Sequence, residues 1–179
     1  MTSVRQQNFL LRKEKILAMA ETLLLDNNQD ITLSELATEL DIAKGTIYKH
    51  FKSKNQLYLE LIILNETRLL EISQKHNNDI KTYVSEYMLY NMLNSNRTIL
   101  LHVIEERLTN NERKLKELFE KLYQIREQRI IEIKDMTSDY LKSLDSAMSI
   151  RDYLSYVWTV TYGASLLLNS THYQKSIGS

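Results

Sequence analysis

The sequence predicts an all-α protein, and three observations carry that reading. Proline is absent, and glycine stands only at positions 45, 163 and 178 of the 179 residues, whereas a β-sandwich or α/β fold needs more turn residues than this. Leu, Ile, Glu, Lys and Gln, all tolerant of long helices, are plentiful. Apolar residues recur at spacings of three and four through most of the chain. The length suffices to bury a core without a metal or disulfide staple. The lack of cysteine excludes disulfides, thiol catalysis and cysteine-based zinc sites.

The first helix is predicted over about Arg12 to Asp26, where Ile16, Ala20, Leu23 and Leu24 form one apolar face. The polar run Asp26 to Asp30 breaks it. Thr32-x-x-Glu35 has the pattern of a capping box and opens a short helix with Leu33, Leu36, Ala37 and Leu40 facing inward. After a turn at Asp41, a second short helix starts at Ala43 or Lys44, with Ile47 and Phe51 as its buried pair. Ser53-x-x-Gln56 is a further capping box and opens a long helix to about His76.

Beyond residue 76 the helical period persists. Helices are predicted over about 79–93, from the Asn94-Ser95-Asn96 break to about Leu108, and from a Thr109-x-x-Glu112 capping box to about Lys134 or beyond. In the last of these, Leu115, Leu118, Leu122, Ile125 and Arg129 make one stripe. Ser149-x-x-Asp152 opens a final strong helix, Tyr153 to Leu168.

Charge narrows the function. Twenty-three basic and 23 acidic residues cancel, so placement matters more than the total. Met1 to Lys13 holds Arg5, Arg12 and Lys13 with no acid, and no carboxylate occurs between Asp41 and Glu60. Within that second stretch lies "AKGTIYKHFKSK". Two short helices joined by a tight turn and packed on a preceding helix form a helix-turn-helix. With Ile47 inward, Gly45, Thr46, Tyr48 and Lys49 fall on the outer face. Gly45 lowers bulk, Thr46 offers a hydroxyl near the helix N-terminus, and Tyr48 brings a ring and a hydroxyl. Lys44 and Lys49 add cationic donors, while His50 and Lys54 are placed to anchor flanking phosphates. A solvated basic face is the bland alternative, and the coincidence of caps, turn and outward glycine weighs against it.

The stretch "ITLSELATELDIAKGTIYKHFKSKNQLYLEL" resembles the DNA-binding domain of the TetR family of bacterial transcriptional regulators, over about Arg12 to Leu61. The resemblance implies a helix-turn-helix domain over residues 1–56 and a helical ligand-binding and dimerisation domain over 57–179. It implies a homodimer on a palindromic double-stranded DNA operator, acting as a repressor and released by a small hydrophobic or cationic effector, with efflux genes the commonest targets. Carried over by position, Thr32, Lys44, Gly45, Thr46, Tyr48, Lys49, His50 and Lys54 are the DNA-contacting set. Asp41 stands where the family usually has glycine in the turn. The sequence given ends soon after Leu168, where family members generally have a further helix.

No catalytic set emerges: His50, His76, His102 and His172 are scattered, and Glu71, Glu105 and Glu106 read as solvated carboxylates. The expectation is a regulator and not an enzyme, with no cofactor and no metal. Aromatic and methionine residues on the later helices can line a pocket or fill a core, and Tyr87, His102, Tyr123 and Trp158 are the pocket-wall candidates. Gly163 is expected to permit close helix approach. No run reaches the roughly 18–20 apolar residues of a membrane span, and the start has no signal-peptide pattern, so a cytoplasmic location without membrane association is expected. The rival readings are a nucleoid-associated cell-division regulator of the same fold, an enzyme or carrier using a helical bundle, and a DNA-inert interaction protein.

Overall fold

The computed structural model describes residues 3–27, 30–109 and 112–177. The described residues form α1 (Val4–Asn27), α2 (Leu33–Glu39), α3 (Lys44–His50), α4 (Lys54–Lys75), α5 (Ile80–Leu93), α6 (Ser95–Thr109), α7 (Glu112–Ser143), α8 (Ile150–Leu168) and α9 (Thr171–Ile177), with no strand among them. The all-α expectation holds. The chain divides into two units, Met1–Leu61 and Ile62–Ser179, and the boundary falls inside α4.

In the first unit, α1 begins two turns earlier than its apolar spacing predicts. Ser3 supplies the reason, because its hydroxyl accepts the Gln6 N–H at 3.2 Å and its carbonyl accepts from Gln6 and Gln7. A serine cap stabilises a helix start without requiring the first turns to be apolar. Farther along, Ile16, Leu17, Ala20 and Leu24 of α1 are buried with Leu33, Leu36 and Ala37 of α2, Ile47 of α3, and Phe51. Each large apolar side chain so buried contributes about 1.5–3 kcal/mol.

Polar groups fix the local joints. Thr32 accepts the Glu35 N–H at 3.1 Å and Glu35 accepts the Thr32 N–H at 2.7 Å, so both halves of the first capping box are present. The second is rearranged: Ser53 accepts from Gln56 at 3.1 Å, while the Gln56 side chain takes the Lys52 N–H instead. The Tyr58 hydroxyl, wholly buried, accepts the Ile31 N–H at 3.0 Å and donates to Asp30 at 3.2 Å. It therefore ties α4 to the segment entering α2.

In the second unit, α8 packs on α5, α6, α7 and α9. Leu69, Ile72, Ile80, Tyr83, Tyr87, Ile133 and Val157 form one buried cluster. Asp79 caps α5 by accepting from Lys81 and Thr82, and Ser149 caps α8 by accepting from Asp152 at 3.1 Å. The break before α6 shrinks to Asn94, whose side chain donates to the Tyr90 carbonyl at 2.8 Å. The helix at α7 runs on to Ser143. Of the Thr109–Glu112 capping box, the Glu112 side chain lies outside the described residues, and the Thr109 hydroxyl donates to the Glu106 carbonyl at 2.7 Å. Buried Thr137, Thr161 and Ser165 hydroxyls donate to carbonyls four residues back, at 2.7, 2.7 and 2.9 Å. Among the described residues, nothing beyond its own helix would lie within 4 Å of a Cβ at Gly163, so no close approach there requires that glycine.

Candidate nucleic-acid interface and ligand cavity

The turn between α2 and α3 sets the presentation of α3. Leu40 caps α2, and Asp41 follows with φ 49° in the left-handed region. The Asp41 N–H donates to the Thr38 carbonyl at 3.0 Å and the Ile42 N–H to the Ala37 carbonyl at 3.0 Å. This is the paired bonding of a Schellman turn with aspartate in the glycine position. Aspartate tolerates that conformation better than most side chains, so the substitution leaves the turn intact.

Helix α3 then buries Ile47 and presents Lys44, Gly45, Tyr48 and Lys49 to solvent, with Thr46 half-buried. A Cβ at Gly45 would meet nothing within 4 Å, which leaves that part of the face flat and open. Tyr48 is 42% exposed, so its ring and hydroxyl are accessible on this face. No ion pair neutralises Lys44 or Lys49 among the described residues, and no carboxylate stands on α3.

Three of the expected DNA-contacting residues have other engagements. His50 is not an exposed anchor: it is 8% exposed, and its ring stacks on Phe9 with centroids 4.1 Å apart and planes 28° apart. Burial, then the Arg12 and Lys13 charges, push its pKa down. Lys54 is held by Asp30 at 3.0 Å and lies over the Tyr58 ring, 5.7 Å from its centroid. Thr32 is exposed, with its oxygen accepting in the capping box.

The second unit holds a cavity of about 260 Å³ whose wall includes Tyr87, His102 and Trp158. Trp158 and Tyr162 stack at 5.3 Å and 9°, and His102 meets Tyr162 edge-on at 5.0 Å. Tyr123 is not part of this wall. It is 46% exposed and packs against Phe119 one turn back on α7, at the edge of the stripe that α7 buries.

The polar floor of the cavity was not anticipated. Glu105, expected as a solvated carboxylate, receives both terminal nitrogens of Arg126 at 2.6 and 2.7 Å. Arg126 Nε donates to Glu66 at 3.0 Å, and Arg129 Nη2 lies 3.3 Å from the other Glu66 oxygen. Burial works against the Arg126 charge, but Glu105 and Glu66 outweigh it and raise the pKa. Burial pushes the Tyr87 phenol up to about 12, so it stays protonated as a hydrogen-bond donor. Arg129 within the otherwise apolar stripe of α7 was the available signal; Glu66 and Arg126 gave none, since their pairing is fixed only when α4, α6 and α7 meet.

A larger, more apolar groove of about 690 Å³ shares Tyr87 and Trp158 with that cavity and adds Tyr83, Ile130, Ile133 and Leu154. Among the described residues, no helix is long and apolar enough to cross a membrane.

Residues 16–61 match the family model described as bacterial regulatory proteins, tetR family. The HTH-type transcriptional regulator QacR of Staphylococcus aureus (strain Mu50 / ATCC 700699) is 34% identical over 82 residues. That match takes in 45% of this chain and spans 44% of the relative's length. Both descriptions are of regulatory proteins. Both matches agree with the helix-turn-helix geometry, and the likeness to the tetR family of bacterial regulatory proteins that they show is local to the first unit, the chain spanning less than half of the relative's length.

Proposed function

We propose that the chain is a DNA-binding transcription regulator that inserts α3 into the major groove of an operator and responds to a small molecule held in its second unit. The observation that carries this reading is the open face of α3, on which Lys44, Gly45, Tyr48 and Lys49 are exposed with no carboxylate among them. Lysine donors suit phosphates and guanine edges, and a tyrosine ring suits thymine methyls. Thr46 lies at the N-terminal end of the helix, where N–H groups favour a phosphate. Thr32 and Lys54 stand at the margins, and His50 supports the helix from beneath.

The second unit supplies what regulation needs. Its cavity combines Tyr87, His102 and Trp158 with the Glu66, Glu105 and Arg126 charges, a composition fit for a small hydrophobic or cationic effector. An effector that prefers one arrangement of this unit shifts the population away from DNA. Helix α8 leaves Tyr156, Val160 and Leu167 exposed at 62, 37 and 51%, on the same face as Gly163. Exposed apolar stripes of this kind mark protein contacts, and a homodimer covers it while presenting two α3 helices to a palindrome. Repression, with efflux genes as targets and the cytoplasm as the place of action, is the family expectation adopted here.

The test selects duplexes from a random-sequence pool with the full chain, then measures their affinity at one fixed salt concentration. Tyr48→Ala and Lys49→Ala should each weaken binding by about 1–3 kcal/mol without lowering the melting temperature. Unchanged affinity in both variants overturns the assigned face.

A further inference from the structure

A basic groove separates the first turns of α1 from the end of α3. It has a volume of about 730 Å³ and includes Arg5, Phe9 and Arg12 of α1 with Lys49 and His50 of α3. Arg5 and Arg12 are seven residues apart, hence on one face of the helix and separated along it by about 10 Å. Phe9 lies between them and stacks on His50, which fastens α1 to α3 and forms the floor. The same burial keeps His50 from adding much charge of its own.

The charge of the groove therefore rests on Arg5, Arg12 and Lys49, and no carboxylate lines it. All three are exposed, and no ion pair neutralises them among the described residues. Lys13, one residue on, differs: it pairs with Glu60 and lies over the Phe51 ring. Ser3, Gln6 and Asn8 add uncharged hydrogen-bonding groups to the groove. An anion is the occupant such a lining favours. Lys49 also belongs to the open face of α3, so groove and face are continuous.

We propose that this groove seats a phosphate of the DNA backbone, making the first turns of α1 part of the DNA interface. The inference rests on the DNA-binding reading above and extends it to residues outside 16–61, the segment that matches the family model. Phosphate contacts hold register and supply salt-sensitive affinity without reading sequence. Removing them should weaken binding to all duplexes alike.

The experiment uses the full chain and a duplex that it recovers from a random-sequence pool, with affinity measured across a sodium chloride series. Each lost phosphate contact lowers the salt slope by about 0.9, so Arg5→Ala/Arg12→Ala should reduce it by about 0.9 and leave the sequence preference intact. Arg5→Lys/Arg12→Lys should restore most of the slope. Lys15→Ala removes a charge from the same helix outside the groove and should leave the slope unchanged. A wild-type slope in the double alanine variant, or an equal loss in Lys15→Ala, overturns the groove assignment while DNA binding stands. A wild-type chain with no salt-dependent affinity for any duplex overturns the DNA-binding reading itself, and the groove assignment with it.

Discussion

Arg126 grips Glu105 with two parallel hydrogen bonds, Nη1 to Oε1 at 2.6 Å and Nη2 to Oε2 at 2.7 Å. Its remaining nitrogen, Nε, donates to Glu66 at 3.0 Å. One guanidinium thus joins α4, α6 and α7 at the floor of the cavity. Forked pairing of this kind fixes orientation as well as charge, so the cavity wall is held by a joint that an effector can strengthen or disturb.

Arg126→Met should destabilise the second unit by about 2–4 kcal/mol, because two carboxylates would remain with 9 and 13% side-chain exposure and one fewer cation. Trp158, the single tryptophan, stands on α8 in this unit and reports its unfolding. Urea unfolding followed by its fluorescence should show the lower midpoint. Adding Glu105→Gln to Arg126→Met should recover part of the loss, since one of the unpaired charges is removed. An unshifted midpoint in Arg126→Met would mean that the triad is already solvated.

Tyr58→Phe tests the joint at the entry to α2. The ring stays in place, but the Ile31 N–H loses its acceptor in a buried setting. The expected loss is about 1–2 kcal/mol, accompanied by faster hydrogen exchange at the Ile31 amide specifically. Wild-type protection at that amide would show that another acceptor replaces the hydroxyl.

The sequence made the first unit legible because its contacts are short-range. The Thr32–Glu35 box, the Asp41 turn and the inward pair Ile47 and Phe51 all lie within a few residues of their partners. The turns before Arg12 were missed because Val4, Leu10 and Leu11 remain exposed there and leave no apolar period to follow. His50 lies only about 60° around α3 from the inward Ile47, so its expected phosphate role came from its residue type and not from helical stepping, and the extended α1 brings Phe9 across to cover it. In the second unit, Tyr87, His102 and Trp158 line one cavity, and Tyr123 is not among its lining residues. The Glu66–Arg126–Glu105 triad spans residues 66 to 126, and helical periodicity carries no information on such pairings.

Asp41 offers a backbone test. Its φ of 49° is uncomfortable for a side chain with a Cβ, and glycine relieves that strain at the expense of a more flexible unfolded chain. Asp41→Gly should raise stability by about 0.5–1 kcal/mol, whereas Asp41→Val should lower it by about 1–2 kcal/mol. Thermal midpoints of the two variants at neutral pH give the comparison. A valine variant as stable as the wild type would show that the turn adopts another conformation without loss.

His50 gives the first unit a pH dependence of definite sign. Burial against Phe9, followed by the charges of Arg12 and Lys13, lowers its folded pKa, and Glu60 opposes the shift only weakly. The unfolded chain therefore binds the proton more readily, beginning near the ordinary histidine value of about 6.5. Stability is complete above that value and falls as the pH drops from it towards the folded pKa. His50→Phe keeps a ring against Phe9 and removes the titration. Its melting temperature should fall less than the wild type's between about pH 7.5 and 5.5, a window chosen around that histidine value and above the ordinary carboxylate range. Equal losses in the wild type and His50→Phe would place the proton uptake elsewhere and remove His50 as the acid-sensitive group.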